Sequence, residues 1–176
     1  MLSNSENAET VSWLAGVPLL VLFCLFLAGI SGMFDVALAV VALIGALMTL
    51  YLMDVDRQLA HSRDYLATCD LAERVSCTEA LKAPSASLVL RLRNTTIGLV
   101  FYMVMFACVL LHTVTAAYLP VWVLFVLSVC GTLASVYLLQ LSLVVLQIAC
   151  PLCMGLHLVN FSLLWLSWGY SEQVRW

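Results

Sequence analysis

Four cysteines in two pairs are the residues of this chain best suited to chemistry. Cys150 and Cys153 bracket Pro151 and Leu152 in a tight Cys-Pro-Leu-Cys motif, and Cys69 and Cys77 bracket a stretch of seven residues. Two residues between thiols at a helix start let both sulfurs close a small ring. The helix N-terminus stabilises a thiolate, which lowers a pKa from about 8.5 and makes the sulfur a nucleophile. Pro151 suits the first helical turn, where its missing N–H costs nothing. The wider spacing of Cys69 and Cys77 allows a disulfide whose sulfurs other thiols can still reach. Together the pairs can relay electrons by thiol–disulfide exchange, in which a thiolate attacks a disulfide through a mixed intermediate. Two plainer alternatives stay open. The loop pair could be a purely structural disulfide of the kind common outside the cytosol. The four sulfurs could also hold zinc, although structural zinc sites favour two tight knuckles and the wide pair fits that poorly. No metal is expected. Cys24, Cys108 and Cys130 stand singly in apolar surroundings and are expected to act as small buried residues.

The elements that must position these sulfurs are membrane helices. The chain has 176 residues, of which 64% are hydrophobic and 10% charged, with a mean hydropathy of +1.08. Soluble domains carry about 25% charged residues. A net charge of −3 argues against nucleic acid as a partner, because a phosphate backbone calls for a basic patch. The length suits one compact unit, residues 1–176. A helix needs about 20 apolar residues to cross a bilayer, and stretches of that order mark five expected spans: 10–34, 36–53, 95–117, 119–144 and 148–169. Breaks are expected near Ala116–Pro120 and Gln147–Pro151. The polar stretch 54–94 holds twelve of the seventeen charged residues and reads as an extramembrane loop. The first span lacks the basic leader of a signal peptide and follows Glu6 and Glu9, so it is expected to be an uncleaved accessory helix.

Parity then sets the topology. Two spans separate the polar loop from Cys150 and Cys153, so all four paired cysteines are expected at one membrane face. Positive-inside counting would draw Arg57, Arg63, Arg74, Lys82, Arg91 and Arg93 to the cytoplasm, whereas cysteine pairs favour an oxidising compartment. We give the cysteine chemistry more weight.

Thiols beside lipid imply an electron partner that lives in lipid, and a quinone is the natural two-electron partner for a dithiol. Few polar groups could hold its carbonyl. Asn94 starts the third span, where it could equally cap the helix. His157 lies one turn beyond Cys153 on the same helix face, and polar residues inside a membrane are functional candidates by default.

With these residues in view, the chain resembles the vitamin K epoxide reductase family. The resemblance is carried by Arg63-Asp64-Tyr65-Leu66-Ala67-Thr68-Cys69-Asp70, by Ser76-Cys77, and by Asn94 followed by Gly98 and Phe101-Tyr102. It continues through Ser135-Val136-Tyr137-Leu138, the Cys150–Cys153 motif, Asn160 and Ser162-Leu163-Leu164-Trp165-Leu166-Ser167. These elements run in order over residues 36–169 and look closer to the animal branch than to most bacterial members. The DsbB type, another membrane disulfide-generating family, has its tight pair first, so the order here disfavours it. The resemblance implies an all-α integral membrane protein with a four-helix transmembrane bundle around a quinone, to which residues 10–34 add an extra N-terminal helix. It implies that Cys69 exchanges with a thioredoxin-like partner and that Cys77 passes electrons to Cys150. Cys153 would be the thiolate facing the quinone, and Asn94 would hydrogen-bond the substrate.

The sequence departs from the family pattern in three places. His157 stands where the family has a tyrosine, the segment from Cys77 to Asn94 is shorter than in the animal enzymes, and the N-terminal span has no counterpart in four-helix members. By parity that span would put the N-terminus outside and the C-terminus in the cytosol. The function expected is a thiol–quinone oxidoreductase that reduces vitamin K epoxide, vitamin K quinone or ubiquinone at the expense of partner thiols. It would sit in the endoplasmic reticulum membrane with a lumenal site, or in a bacterial inner membrane with a periplasmic one. Quinone-dependent disulfide formation in secreted proteins is the alternative physiological purpose. A non-catalytic scaffold with structural disulfides is the alternative of another class.

Overall fold

The computed structural model describes residues 23, 33–62, 67, 69–70, 74–83, 93–115 and 121–174. The expected first span, 10–34, and the break near Ala116–Pro120 fall almost wholly outside these residues, as do Cys24 and most of the Arg63–Asp70 motif.

Among the described residues there are four long apolar helices: α1 (Phe34–His61), α3 (Asn94–Thr115), α4 (Val121–Gln140) and α5 (Pro151–Val174). A short helix, α2 (Cys77–Lys82), lies in the connection between α1 and α3. Among the described residues, four segments, Phe34–His61, Asn94–Val114, Val121–Leu146 and Pro151–Glu172, are long and apolar enough to cross a membrane. They coincide with the second to fifth expected spans. The protein is an all-α integral membrane protein.

The largest difference lies at the end of α1, which continues to His61, well past the expected boundary at Met53. The charged residues there are accommodated on the helix. Gln58 donates to Asp54 one turn away, and Asp56 is buried, where it pairs with Arg93. The first eight residues of the expected loop, 54–61, are therefore helical.

Helix α1 is the centre of the bundle and packs along both α3 and α5, while α4 packs mainly on α5. The core is apolar and includes Leu38, Val41, Met105, Val109, Val159, Leu163 and Leu166. Without a hydrophobic driving force in lipid, helices associate through close packing at small residues. Gly45 on α1 serves this way: a Cβ there would lie 2.5 Å from the Tyr102 ring on α3. Contact between α3 and α4 is slight by comparison, and that gap becomes the cavity described below.

The expected interruption near Gln147 has a definite form. Helix α4 widens into a π-helical turn, Leu141–Leu146, and ends at Gln147 in the left-handed conformation with φ 54°. The Ser142 hydroxyl donates to the Ile148 carbonyl at 2.6 Å, and the Ile148 N–H returns to the Ser142 carbonyl at 3.2 Å. These bonds satisfy backbone groups that the broken helix would leave bare at the edge of a membrane.

Candidate functional site

The four paired cysteines converge, each for a local reason. Helix α2 is capped by Ser76, whose backbone is extended and whose Oγ accepts from the Glu79 N–H at 3.1 Å. Ser-Cys-Thr-Glu thus has the sequence and one bond of a capping box, and Cys77 becomes the first helical residue. Asp70 fastens the loop around it. Its Oδ1 accepts from the Ser76 hydroxyl at 2.8 Å and the Thr78 N–H at 3.0 Å, and its Oδ2 accepts from the Ala67 N–H at 3.1 Å. Burial pushes the Asp70 carboxyl up, but the bonds from Thr78, Ser76 and Ala67 outweigh it and hold the group below the usual carboxylate range. Cys69 and Cys77 are joined in a disulfide.

A two-rung backbone bridge brings this loop to the tight pair. The Ala149 N–H donates to the Arg74 carbonyl at 2.8 Å, and the Ser76 N–H donates to the Ala149 carbonyl at 3.1 Å. Residue 149 immediately precedes Cys150 and residue 76 immediately precedes Cys77, so the bridge sets the two sulfurs side by side. Cys150 Sγ lies 3.2 Å from Cys77 Sγ. The contact is buried: Cys77 is 0% and Cys150 1% exposed.

Cys150 caps α5. Its carbonyl accepts from the Met154 N–H at 2.9 Å, and its Sγ accepts from the Cys153 N–H at 3.3 Å. The hydrogen bond from the Cys153 thiol lowers the Cys150 pKa most. Burial opposes it, and the backbone N–H groups of Cys153 and Leu152 add to the lowering, so Cys150 ionises below the ordinary thiol value. The neighbouring thiol thus matters more than the helix-start N–H groups expected from the motif, and it favours the anion on Cys150, whereas the resemblance implies a thiolate at Cys153. Both are free thiols.

Cys153 lies on the wall of a cavity of about 460 Å³ enclosed by all four long helices and α2. Leu52, Leu81, Ile97, Phe101, Leu138 and Leu156 give it an apolar surface. Its polar groups are few and include Asn94, Ser135, His157, Asn160 and Arg93. This is the make-up of a small-molecule site. Asn94 and His157, both singled out in the sequence, lie on its wall. The buried His157 ring bonds through Nδ1 to the Ser135 hydroxyl, which fixes the ring.

Several features were not foreseen. Asn160 lines the cavity beside His157, its Oδ1 taking a 3.0 Å bond from the Tyr102 hydroxyl. Arg93 lines it too, and is tied through Nη2 to Asp56 and to the Leu81 carbonyl, the latter at 3.0 Å. Cys130, given no role above, is also on the wall. Of these, only Asn160 and Tyr102 are legible in the sequence, as elements of the family resemblance. The expectation that both loop sulfurs stay reachable needs correction. Cys150 reaches Cys77, but Cys69 is 3% exposed and belongs to the buried cluster that holds Leu52, Val55 and Leu81. Exchange of Cys69 with an outside thiol therefore requires the loop to open. With Cys69 and Cys77 joined to one another, the zinc alternative has lost two of its four ligands.

A membrane helix bundle that sets a disulfide against a helix-capping dithiol, over an apolar cavity, defines a membrane thiol–disulfide protein. The vitamin K epoxide reductase family model matches residues 36–168. The chain belongs to that family, and is thereby a membrane oxidoreductase of the thiol–disulfide kind, a class that uses quinones and typically works with thioredoxin-like partners.

Proposed function

We propose that this protein passes electrons from partner thiols to a quinone of the vitamin K type, or to its epoxide, through Cys69, Cys77, Cys150 and Cys153 in that order. The observation that carries the reading is the 3.2 Å contact between Cys77 and Cys150 above a cavity whose wall holds Cys153. In the arrangement described, Cys69–Cys77 is oxidised and Cys150/Cys153 is reduced. That is the state reached once electrons have moved inward. A thioredoxin-like partner then reduces the loop disulfide, and Cys153 delivers two electrons to the substrate as Cys150 closes on it. A quinone becomes a hydroquinone; an epoxide becomes a quinone and water. Asn94 and His157 hold the substrate's oxygens. The thiol face lies on the lumenal side of the endoplasmic reticulum, or on the periplasmic side if the host is a bacterium.

A second reading keeps the chemistry and changes the purpose: the quinone serves as oxidant and disulfide formation in the partner is the product. His157 in place of the family tyrosine, together with the short Cys77–Asn94 segment, favours plain quinone over epoxide. The test is turnover by detergent-purified protein with dithiothreitol as donor, comparing vitamin K epoxide, vitamin K quinone and ubiquinone. Cys153→Ala is expected to abolish turnover, a loss of at least a hundredfold. Epoxide turnover supports the first purpose and quinone turnover alone the second. Full activity in Cys153→Ala would defeat both.

A further inference from the structure

Arg93 is the one side chain with a permanent charge among the described residues lining the cavity. Its placement is built rather than incidental. Asp56, at the end of α1, is 9% exposed and pairs with it, and the Leu81 carbonyl at the end of α2 accepts from it. Both contacts use the same nitrogen, Nη2. A guanidinium has five N–H donors in a fixed fork, so Nε and Nη1 keep three for another ligand. Arg93 lines the cavity and Asp56 does not, and the Arg93 side chain is 44% exposed against 10% for Asp56, so the cation and not its carboxylate partner is the charged group open to a ligand there. The Leu81 that holds Arg93 packs in one buried cluster with Cys77 and Cys150, which places the cation at the same end of the cavity as the reacting thiols.

We propose that Arg93 is a catalytic group that binds the anionic oxygen which a quinone acquires on reduction. This rests on the quinone reading above. The step balances without another reactant. The dithiol reacts as a monoanion, one sulfur ionised and one carrying a proton, in keeping with the lowered pKa of Cys150. Two electrons pass to the quinone as the S–S bond between Cys150 and Cys153 forms. The single proton goes with them, giving a hydroquinone monoanion. One negative charge thus leaves the sulfurs and appears on an oxygen, and a preorganised cation there favours the product side and the transition state leading to it. The neutral quinone gains far less from the same group, so the binding is differential, as catalysis requires. Asp56 and Leu81 act as positioning groups.

The test uses two ligands of nearly one size: a hydroxynaphthoquinone, ionised at neutral pH, and its neutral methyl ether. Their affinities are measured on the full chain in detergent, with both disulfides kept oxidised so that neither ligand is turned over. The wild type is expected to prefer the anion by about tenfold or more, as charge-assisted bonds to a guanidinium would give. Arg93→Gln should erase that preference while still binding the ether, and Arg93→Lys should retain most of it. An unchanged preference in Arg93→Gln overturns the assignment and leaves the quinone reading intact. Loss of preference in Arg93→Lys equal to that in Arg93→Gln overturns it as well. Failure of the wild type to bind either ligand would defeat the quinone reading and this inference together.

Discussion

At the scale of single residues, the site is governed by where one negative charge resides. The Cys153 thiol is the largest influence lowering the Cys150 pKa, so removing it should raise that pKa. A titration followed by thiolate absorbance on the reduced protein checks this: Cys150 is expected to ionise below the ordinary thiol value in the wild type and clearly higher in Cys153→Ala. An unchanged curve would assign the acidity elsewhere. Asp70 governs the loop in a comparable way. Its carboxyl is held below its usual value in the folded state, so the stability it contributes is present above the ordinary carboxylate pKa. That contribution is lost as pH falls through the lower, folded value. Asp70→Asn should therefore loosen the loop at neutral pH by about 1–2 kcal/mol, the scale of hydrogen bonds to a charged group. Hydrogen exchange at the Thr78 amide reads the change directly, and equal protection in both proteins would contradict it.

At the scale of elements, the break between α4 and α5 decides where Cys150 sits. Gln147 holds a left-handed backbone that glycine adopts freely and a β-branched residue resists. Gln147→Gly is expected to be neutral or stabilising, whereas Gln147→Val should cost about 1–3 kcal/mol; thermal unfolding in detergent distinguishes them. A gain in stability for the valine variant would contradict the account. The existence of this break was legible in the sequence, because Gln and Pro interrupt an apolar run, but its π-helical form was not. The same division holds across the site. Residue type and spacing revealed the two cysteine pairs, Asn94 and His157. The Ala149 bridge to Arg74 and Ser76, the Tyr102–Asn160 bond and the Arg93–Asp56 pair join residues far apart in sequence, and no local period encodes such contacts. The extension of α1 to His61 was hidden for a related reason. Its charges read as loop until Asp56 is seen to have a partner some forty positions away.

For the whole molecule, the bundle keeps its four paired cysteines at one end. The opposite end is tied by the bond between His112 and Tyr170, 2.9 Å long, and by Phe34 stacked on Tyr170. Two helices, α3 and α4, separate the loop from α5, so both cysteine pairs share a face, as parity required. The basic residues of the loop pull against an oxidising location under the positive-inside rule, and two of them, Lys82 and Arg93, are paired with Glu79 and Asp56. The central claim is that electrons cross between loop and bundle at Cys77 and Cys150. The most direct measurement is to leave these two sulfurs alone by combining Cys69→Ala with Cys153→Ala, and to map disulfides in the purified protein by mass spectrometry under non-reducing conditions. The account predicts that most molecules carry a Cys77–Cys150 bond. A folded protein in which both sulfurs remain free after mild oxidation would contradict it.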